Sequence, residues 1–158
     1  MMADLFISIQ QLDRRYSGRV SKLHSFTKKI IRSAWKSQTP AEVSLVLADD
    51  AFVHKLNYEY RGKDSATNVL SFETGNPPPK GVLWLAGDII VAYETVFKEA
   101  KAQEKTFEAH LAHLLIHGTL HLQGYDHLTE KDAIKMETLE KKLMKSLGYE
   151  NPYKDVEE

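Results

Sequence analysis

The stretch His117-Gly118-Thr119-Leu120-His121-Leu122-Gln123-Gly124-Tyr125-Asp126-His127 decides both the fold and the chemistry of this chain. On a helix, His117 and His121 are one turn apart, so both imidazoles leave the same face, separated by roughly 6 Å of rise. Gly124 can take the left-handed conformation that ends a helix, after which the chain turns back and can present His127. The stretch therefore predicts three histidines around one metal ion, carried by a helix in the C-terminal half of the chain.

Three neutral imidazoles suit zinc and leave a fourth tetrahedral position open, as in catalytic rather than structural zinc sites. Nickel, copper and iron also accept imidazole, so other divalent metals stay open alternatives. The other interpretation is that these are core histidines satisfied by hydrogen bonds, but three of them at ligand spacing around a turn glycine favour a metal site. His110 and His113 share the helix face and rank lower, because they do not fit the turn-glycine geometry.

The spacing His-x3-His-x2-Gly-x2-His is also that of the metzincin peptidases, whose pattern is H-E-x-x-H-x-x-G-x-x-H. In those enzymes the glutamate is the general base, and here Gly118 occupies its position. A zinc peptidase is therefore disfavoured, unless a carboxylate such as Glu108 or Asp88 takes the role of base. A glycine inside a helix costs about 1 kcal/mol relative to alanine, so we expect another part of the chain to approach the backbone closely at Gly118.

The pattern His-Gly-x-Leu-His-Leu-x-Gly-Tyr-Asp-His resembles the signature of the YbeY family, bacterial endoribonucleases that take part in ribosomal RNA maturation. Residues 57–64, Asn-Tyr-Glu-Tyr-Arg-Gly-Lys-Asp, are similar to the family's Asn-x-x-Tyr/Phe-Arg-x-x-Asp segment. Residues 67–72, Thr-Asn-Val-Leu-Ser-Phe, resemble its Thr-Asp-Val-Leu-Ser-Phe, and residues 85–89 resemble its Gly-Asp-Ile block. The resemblance covers nearly the whole chain.

The resemblance implies that Arg61 is the arginine implicated in RNA cleavage. A guanidinium group suits a bidentate grip on a phosphate and the charge that builds on it; the alternative is a helix-end arginine paired with a neighbour such as Asp64. Asn68 stands where the family has an aspartate, and we expect the role of that position to be mostly structural. Asp88 could orient a ligand histidine or could cap a turn.

Composition indicates one ordinary globular domain. The chain has 158 residues, of which 42% are hydrophobic and 27% charged. It contains no cysteine, so we expect no disulfide framework and a cytoplasmic location. Residues 1–10 lack the features of a signal peptide, and no apolar run is long enough to span a bilayer. We expect a single metal-dependent endoribonuclease domain over residues 1–150 and a flexible C-terminal tail over residues 151–158.

The charge is distributed unevenly along the chain. The net charge of −1 argues against a nucleic-acid binder, yet residues 1–40 carry eight Lys and Arg against two acids, which is +6 and leaves −7 for the remainder. A helix predicted over residues 17–36 places an apolar stripe on one side and a basic face on the other: Lys22, Lys28, Lys29, Arg32 and Lys36. This face is either a solvated surface or a track for RNA phosphates.

Residue patterns predict an α+β domain with a small mixed four-stranded sheet packed by about five helices. Further helices are predicted after Asp49, over 93–103, from Thr106, and from Thr129 to Gly148; in the first of these we expect Phe52, Leu56 and Tyr60 to face the core. Strands are predicted over residues 5–10, 42–47, up to 72, and 82–91, the last with a bulge or close approach at Gly87.

The expected function is that of a zinc-dependent endoribonuclease acting on single-stranded RNA. The resemblance implies ribosomal RNA maturation at the 3′ end of the small-subunit RNA, ribosome quality control, and the small ribosomal subunit and its assembly factors as partners. We expect neither DNA nor a membrane among the partners. Besides the zinc peptidase, a non-catalytic RNA-binding ribosome assembly factor with a structural zinc is an alternative.

Overall fold

The computed structural model describes residues 4–63 and 67–153. The strands are β1 (Leu5–Gln11), β2 (Ala41–Ala48), β3 (Val69–Glu73) and β4 (Trp84–Ala92). The helices are α1 (Leu23–Ala34), α2 (Asp50–Arg61), α3 (Tyr93–Ala102), α4 (Phe107–Leu122) and α5 (Glu130–Ser146), and a short 3-10 helix spans Arg14–Gly18. None of the helices in these described ranges is long and apolar enough to cross a bilayer. The predicted α+β class is confirmed.

The four strands form one mixed sheet in the order β1-β2-β4-β3. β1 and β2 run parallel, as do β2 and β4, whereas β3 pairs with β4 in the antiparallel sense. Alternate residues of β2, including Val43, Leu45 and Leu47, are fully buried, since successive side chains of a strand point to opposite faces. The face that they share carries α1, α3, α4 and α5, with the main core between.

Helix α4 is buried along most of its length. Residues 110–116 and 118–120 are all buried, and the helix packs against β3, β4 and the helices α1, α3 and α5. A helix that is apolar on every side belongs inside a protein rather than on its surface. His117 and His121, near its C-terminal end, therefore project from a helix that is buried along most of its length.

Two glycines allow α4 to approach the sheet. A Cβ atom at Gly118 would lie 3.1 Å from Ser71 Oγ and 3.2 Å from Ile89 Cγ2, which confirms the predicted close approach. Gly87 has φ of +141°, and a Cβ atom there would clash with the carbonyl oxygen of Phe72. The register between β2 and β4 also shifts next to Gly87, which confirms the predicted irregularity in that strand.

The helix predicted over residues 17–36 is shorter than expected. Lys22 takes a left-handed conformation with φ of 51°, which separates the 3-10 turn from α1 and delays the start of α1 to Leu23. Even so, the apolar stripe is buried, including Val20 ahead of the helix. Lys22, Lys29, Arg32 and Lys36 are exposed and Lys28 is half-buried, so the basic face is a real surface feature.

The predicted core face of α2 is wrong at two of its three residues, while the third, Leu56, packs against a small buried cluster. Phe52 and Tyr60 are exposed, Tyr60 by 69%, whereas Val53 and Asn57 are buried. The reason is that α2 packs on the outer face of the sheet, where it contacts β3, β4 and α3. No second layer covers its Phe52–Tyr60 side among the described residues, and this side lines an open pocket of about 420 Å³.

The described part of the predicted tail packs against the domain. Pro152 is buried, and its carbonyl oxygen accepts a hydrogen bond of 2.8 Å from Lys105 Nζ. Residues 154–158 lie outside the described residues, so a flexible tail remains a prediction there.

Candidate metal centre

Local capping interactions hold the metal-binding stretch between two helices. Thr106 Oγ1 accepts a hydrogen bond of 3.0 Å from the Ala109 amide and so caps the start of α4. After α4 ends, Gly124 adopts φ of +97°, and its amide donates to the carbonyl of His121 at 3.0 Å. These contacts confirm the predicted N-cap and the predicted turn glycine.

The turn that follows Gly124 fixes the third histidine. Asp126 Oδ1 accepts from the Leu128 amide at 3.2 Å, and Thr129 Oγ1 accepts from the Asp132 amide at 3.1 Å, which caps α5. His127 therefore sits in a short turn that is hydrogen-bonded on its C-terminal side, and Asp126 stabilises the loop.

The structure brings the three predicted ligands together. His117, His121 and His127 each offer one ring nitrogen, and these nitrogens lie within 4.8 Å of one another. The Nε2 atoms of His117 and His121 are 3.1 Å apart. Two nitrogens bound to one tetrahedral zinc at about 2.0–2.1 Å would be separated by about 3.3 Å. The donor set, and the spacing of the His117–His121 pair in particular, thus fit a zinc ion.

The fourth side of the triad is accessible. His117 and His121 are half-buried, and His127 is exposed. Three protein ligands on one side and solvent on the other are the arrangement of a catalytic rather than a structural zinc site. A substrate group can therefore reach an ion held here.

A buried carboxylate orients one of the three histidines. Glu140 on α5 is fully buried; its Oε2 lies 2.7 Å from His117 Nδ1 and its Oε1 lies 2.8 Å from His113 Nε2. With Nδ1 of His117 donating to the carboxylate, Nε2 carries the lone pair and faces His121, as a metal ligand requires.

The pKa values at the site favour metal binding. Burial alone would raise the pKa of Glu140, yet the hydrogen bonds from His113 and His117 outweigh it and hold the pKa at about 2, so the group is a carboxylate. Burial, reinforced by the neighbouring His117 and His127, lowers the pKa of His121 to about 4, so this imidazole is neutral at pH 7. A ligand that is already neutral need not release a proton to bind a metal.

Sequence reasoning missed Glu140 and considered Asp88 in its place. One signal was present, because Glu140 occupies a helical position between Met136 and Leu143 on the buried stripe of α5. A charged residue at such a position is rarely buried unless it is paired.

The two lower-ranked histidines are held by other partners. His110 Nε2 lies 2.8 Å from Glu99 Oε1, and the same oxygen accepts from Asn68 Nδ2 at 2.9 Å. His113 instead contacts Glu140. Asn68 thus joins the start of β3 to α3, which is a structural contact of the kind expected for this position.

Arg61 ends α2 beside a strand that touches the metal-bearing helix. Its Nη2 atom donates to the carbonyl of Ser71 at 2.8 Å, and its guanidinium carbon lies 5.2 Å from the centre of the Phe72 ring. Ser71 Oγ in turn lies 3.5 Å from the carbonyl of Gly118, next to His117. The guanidinium is exposed and is held against β3. The alternative partner Asp64 lies outside the described residues, so the role of Arg61 remains a prediction.

The carboxylates considered as a peptidase base lie elsewhere. Glu108 precedes His117 by nine residues, about 13 Å along the helix, and accepts a hydrogen bond of 2.6 Å from the Tyr149 hydroxyl. Asp88 neighbours Ile89, whose side chain faces Gly118, so Asp88 points to the opposite face of the sheet, where it lines the pocket beside α2. The geometry therefore offers no support to the peptidase alternative.

Comparisons with known proteins bear on the family of this chain. The family model described as "Endoribonuclease YbeY" matches residues 4–148. The endoribonuclease YbeY of Methylocella silvestris is 48% identical over 126 residues, which cover 80% of this chain and 70% of that relative. The solution structure of TM1509 from Thermotoga maritima is similar with a TM-score of 0.56 and 25% identity, over 90% of this chain and 91% of the other. Because the family model spans nearly the whole chain, this protein belongs to the YbeY family.

Proposed function

We propose that this protein is a metal-dependent endoribonuclease that cleaves single-stranded RNA. The observation that carries the proposal is the convergence of three histidine nitrogens within 4.8 Å of one another on an accessible surface. Membership of a family whose Methylocella silvestris member is named an endoribonuclease supports RNA as the substrate.

Each residue of the site has a separate proposed role. His117, His121 and His127 would hold the ion, and Glu140 keeps the ring of His117 in its ligand orientation. A zinc ion in this site would supply a Lewis acid and lower the pKa of water toward 7. Arg61 would bind the scissile phosphate with its fork of N–H groups and stabilise the negative charge that develops there.

The basic face of α1 supports an RNA track that leads to the site. Gln123 follows α4 directly, and its Oε1 accepts hydrogen bonds from the backbone amides of Lys36 at 2.6 Å and Ser37 at 3.2 Å. The basic helix is thus attached to the end of α4 that carries His121. Lysine and arginine side chains along such a face would hold phosphates without reading the base sequence.

The cellular role that we propose is maturation of ribosomal RNA, including the 3′ end of the small-subunit RNA, and ribosome quality control in the cytoplasm. The small ribosomal subunit and its assembly factors are the partners that we propose. Family membership supports these assignments.

Replacing Arg61 with alanine tests the proposal. We expect kcat/KM for a labelled single-stranded RNA to fall by about 10²-fold, the loss typical when one preorganised donor to developing charge is removed. The zinc content should not change, since Arg61 contacts Ser71 rather than a ligand histidine. Arg61→Lys, which keeps the charge but not the bidentate fork, should recover only part of the activity.

The ends of the products identify the nucleophile, because attack by the 2′-hydroxyl leaves a cyclic phosphate and attack by water does not.

All samples must be purified identically, and a metal-stripped sample must be included. Cleavage that is lost on stripping and returns with zinc supports the proposal. Equal cleavage by every sample would indicate a contaminating ribonuclease. RNA binding without cleavage in the zinc-loaded wild type would favour the non-catalytic assembly factor.

A further inference from the structure

The segment after α5 folds back against the metal-bearing helix. Gly148 has φ of +93°, and the Tyr149 amide donates to the carbonyl of Met144 at 2.9 Å, which reverses the chain. The Tyr153 amide donates to Asn151 Oδ1 at 2.8 Å, and Pro152 is buried between them. Together with the bond from Lys105 Nζ to the Pro152 carbonyl, these contacts place the Tyr153 side chain against α4 and α5.

Tyr153 reaches the carboxylate that orients the metal ligand. Its hydroxyl donates to Glu140 Oε1, the same oxygen that His113 Nε2 approaches at 2.8 Å. Its ring packs edge-on against the His113 ring, with centroids 5.2 Å apart and an angle of 85°. The second oxygen of Glu140 is left for His117 Nδ1 at 2.7 Å.

Glu140 therefore depends on three donors from two parts of the chain. Two donors, His113 and His117, come from α4. The third, Tyr153, comes from the C-terminal segment that the sequence predicts to be a flexible tail. A fully buried carboxylate is held only as well as its hydrogen bonds are satisfied, because a missing donor leaves charge unpaired in a dry interior. The torsion angles of Glu140, and with them the ring of His117, are set by all three.

We propose that Tyr153 is a positioning residue of the metal centre, acting through Glu140 on His117, so that the C-terminal segment sets the affinity for the metal. The inference rests on the proposed metal site and is independent of whether the protein cleaves RNA. Tyr153 is not one of the three ligands and acts on them through Glu140. The chemical class of the ligand is a divalent cation bound by imidazole, and the probes are Zn²⁺ and Co²⁺.

A second tyrosine of the same segment provides a matched control. The Tyr149 hydroxyl donates to Glu108 Oε2 at 2.6 Å, and Tyr149 is half-buried like Tyr153. Glu108 lies nine residues before His117, far from the ligand triad. Tyr149→Phe and Tyr153→Phe thus each remove one hydroxyl from a glutamate contact in the C-terminal segment, but only the second change reaches Glu140.

The test is metal titration of the stripped, full-length proteins, with chelator competition for Zn²⁺ and the visible absorption spectrum for Co²⁺. We expect Tyr153→Phe to raise the Kd by about fivefold, the effect of one ordinary net hydrogen bond, and to change the Co²⁺ spectrum.

Glu140→Gln should raise the Kd by about 10- to 100-fold, and adding Tyr153→Phe to it should have little further effect. Tyr149→Phe should leave the Kd within about twofold of the wild type. Urea unfolding of the metal-free proteins should show that both tyrosine variants fold, with the larger loss for Tyr153→Phe because its partner Glu140 is fully buried.

Two results would overturn the inference in different ways. A Kd and a Co²⁺ spectrum for Tyr153→Phe that equal those of Tyr149→Phe would reduce Tyr153 to an anchor of the C-terminal segment, even if Glu140→Gln binds weakly. Failure of the wild type to bind either ion would refute the metal centre itself, and with it the metal-dependent function.

Discussion

Replacing His121 with alanine will lower the affinity for zinc by about 10³-fold, as expected when one of three protein ligands is removed. RNA cleavage will fall to the background of the metal-stripped protein. We choose His121 for this test because its Nε2 atom lies 3.1 Å from that of His117 and because its lowered pKa of about 4 leaves the imidazole neutral. Zinc content by elemental analysis and the Kd by chelator competition are the measurements.

The matched control is His110→Gln. His110 lies on the same helix and is buried, but its partner is Glu99 at 2.8 Å, and glutamine can keep a hydrogen bond to that carboxylate. We expect the control to bind one zinc per chain with unchanged affinity. Equal zinc loss in both variants would mean that disruption of α4, rather than removal of a ligand, explains the result. Unchanged zinc binding in His121→Ala would contradict the ligand set.

The second large effect is on stability. Gly87→Ala should lower the free energy of unfolding by about 3–5 kcal/mol, the combined cost of a forbidden backbone conformation and of overpacking. The added Cβ atom would clash with the Phe72 carbonyl and lie 2.8 Å from Leu122 Cδ2. The first of these is backbone in a paired strand and has little room to move. Urea unfolding of the metal-free protein measures the loss.

Gly75→Ala separates the two causes. Gly75 also has a positive φ, of +109°, but nothing lies within 4 Å of the position of an added Cβ atom, so only the backbone cost of about 1 kcal/mol is expected. If Gly87→Ala costs no more than Gly75→Ala, β3 moves away easily and the packing argument fails. Because Leu122 directly follows His121, we also expect any surviving Gly87→Ala protein to bind zinc more weakly.

The metal ligands could be predicted from the sequence because they lie close together in the chain. His117 and His121 are joined by one helical turn, and the turn at Gly124 brings His127, only six residues after His121, back toward them. Helix periodicity and a single left-handed glycine are enough to bring three such residues together. The burial of α4 could also be predicted, because every residue from Leu111 to Ile116 except His113 is apolar.

The core face of α2 was not accessible in the same way. Phe52, Leu56 and Tyr60 form an apolar stripe at helical spacing, yet Val53 and Asn57 are the buried residues. Periodicity shows that a helix has an apolar side, but it does not show which neighbour covers that side. Here Val53 and Leu56 pack on the outer face of the sheet, and the rest of the stripe is left beside an open pocket.

By itself, the sequence determined the α+β class, the caps of α4 and α5, the glycines that admit close contacts, and the three histidines at ligand spacing. The caps and the histidine spacing depend on residues near one another in the chain, and the glycines stand out because they interrupt a helix and a strand, although the residues that approach them came only from the structure. Only the tertiary structure decided the surroundings of the ligands: Glu140 is 23 residues from His117, and Tyr153 is 13 residues further on. Such contacts form because α5 and the C-terminal segment pack against α4, and packing between distant segments leaves no fixed spacing for a sequence pattern to show.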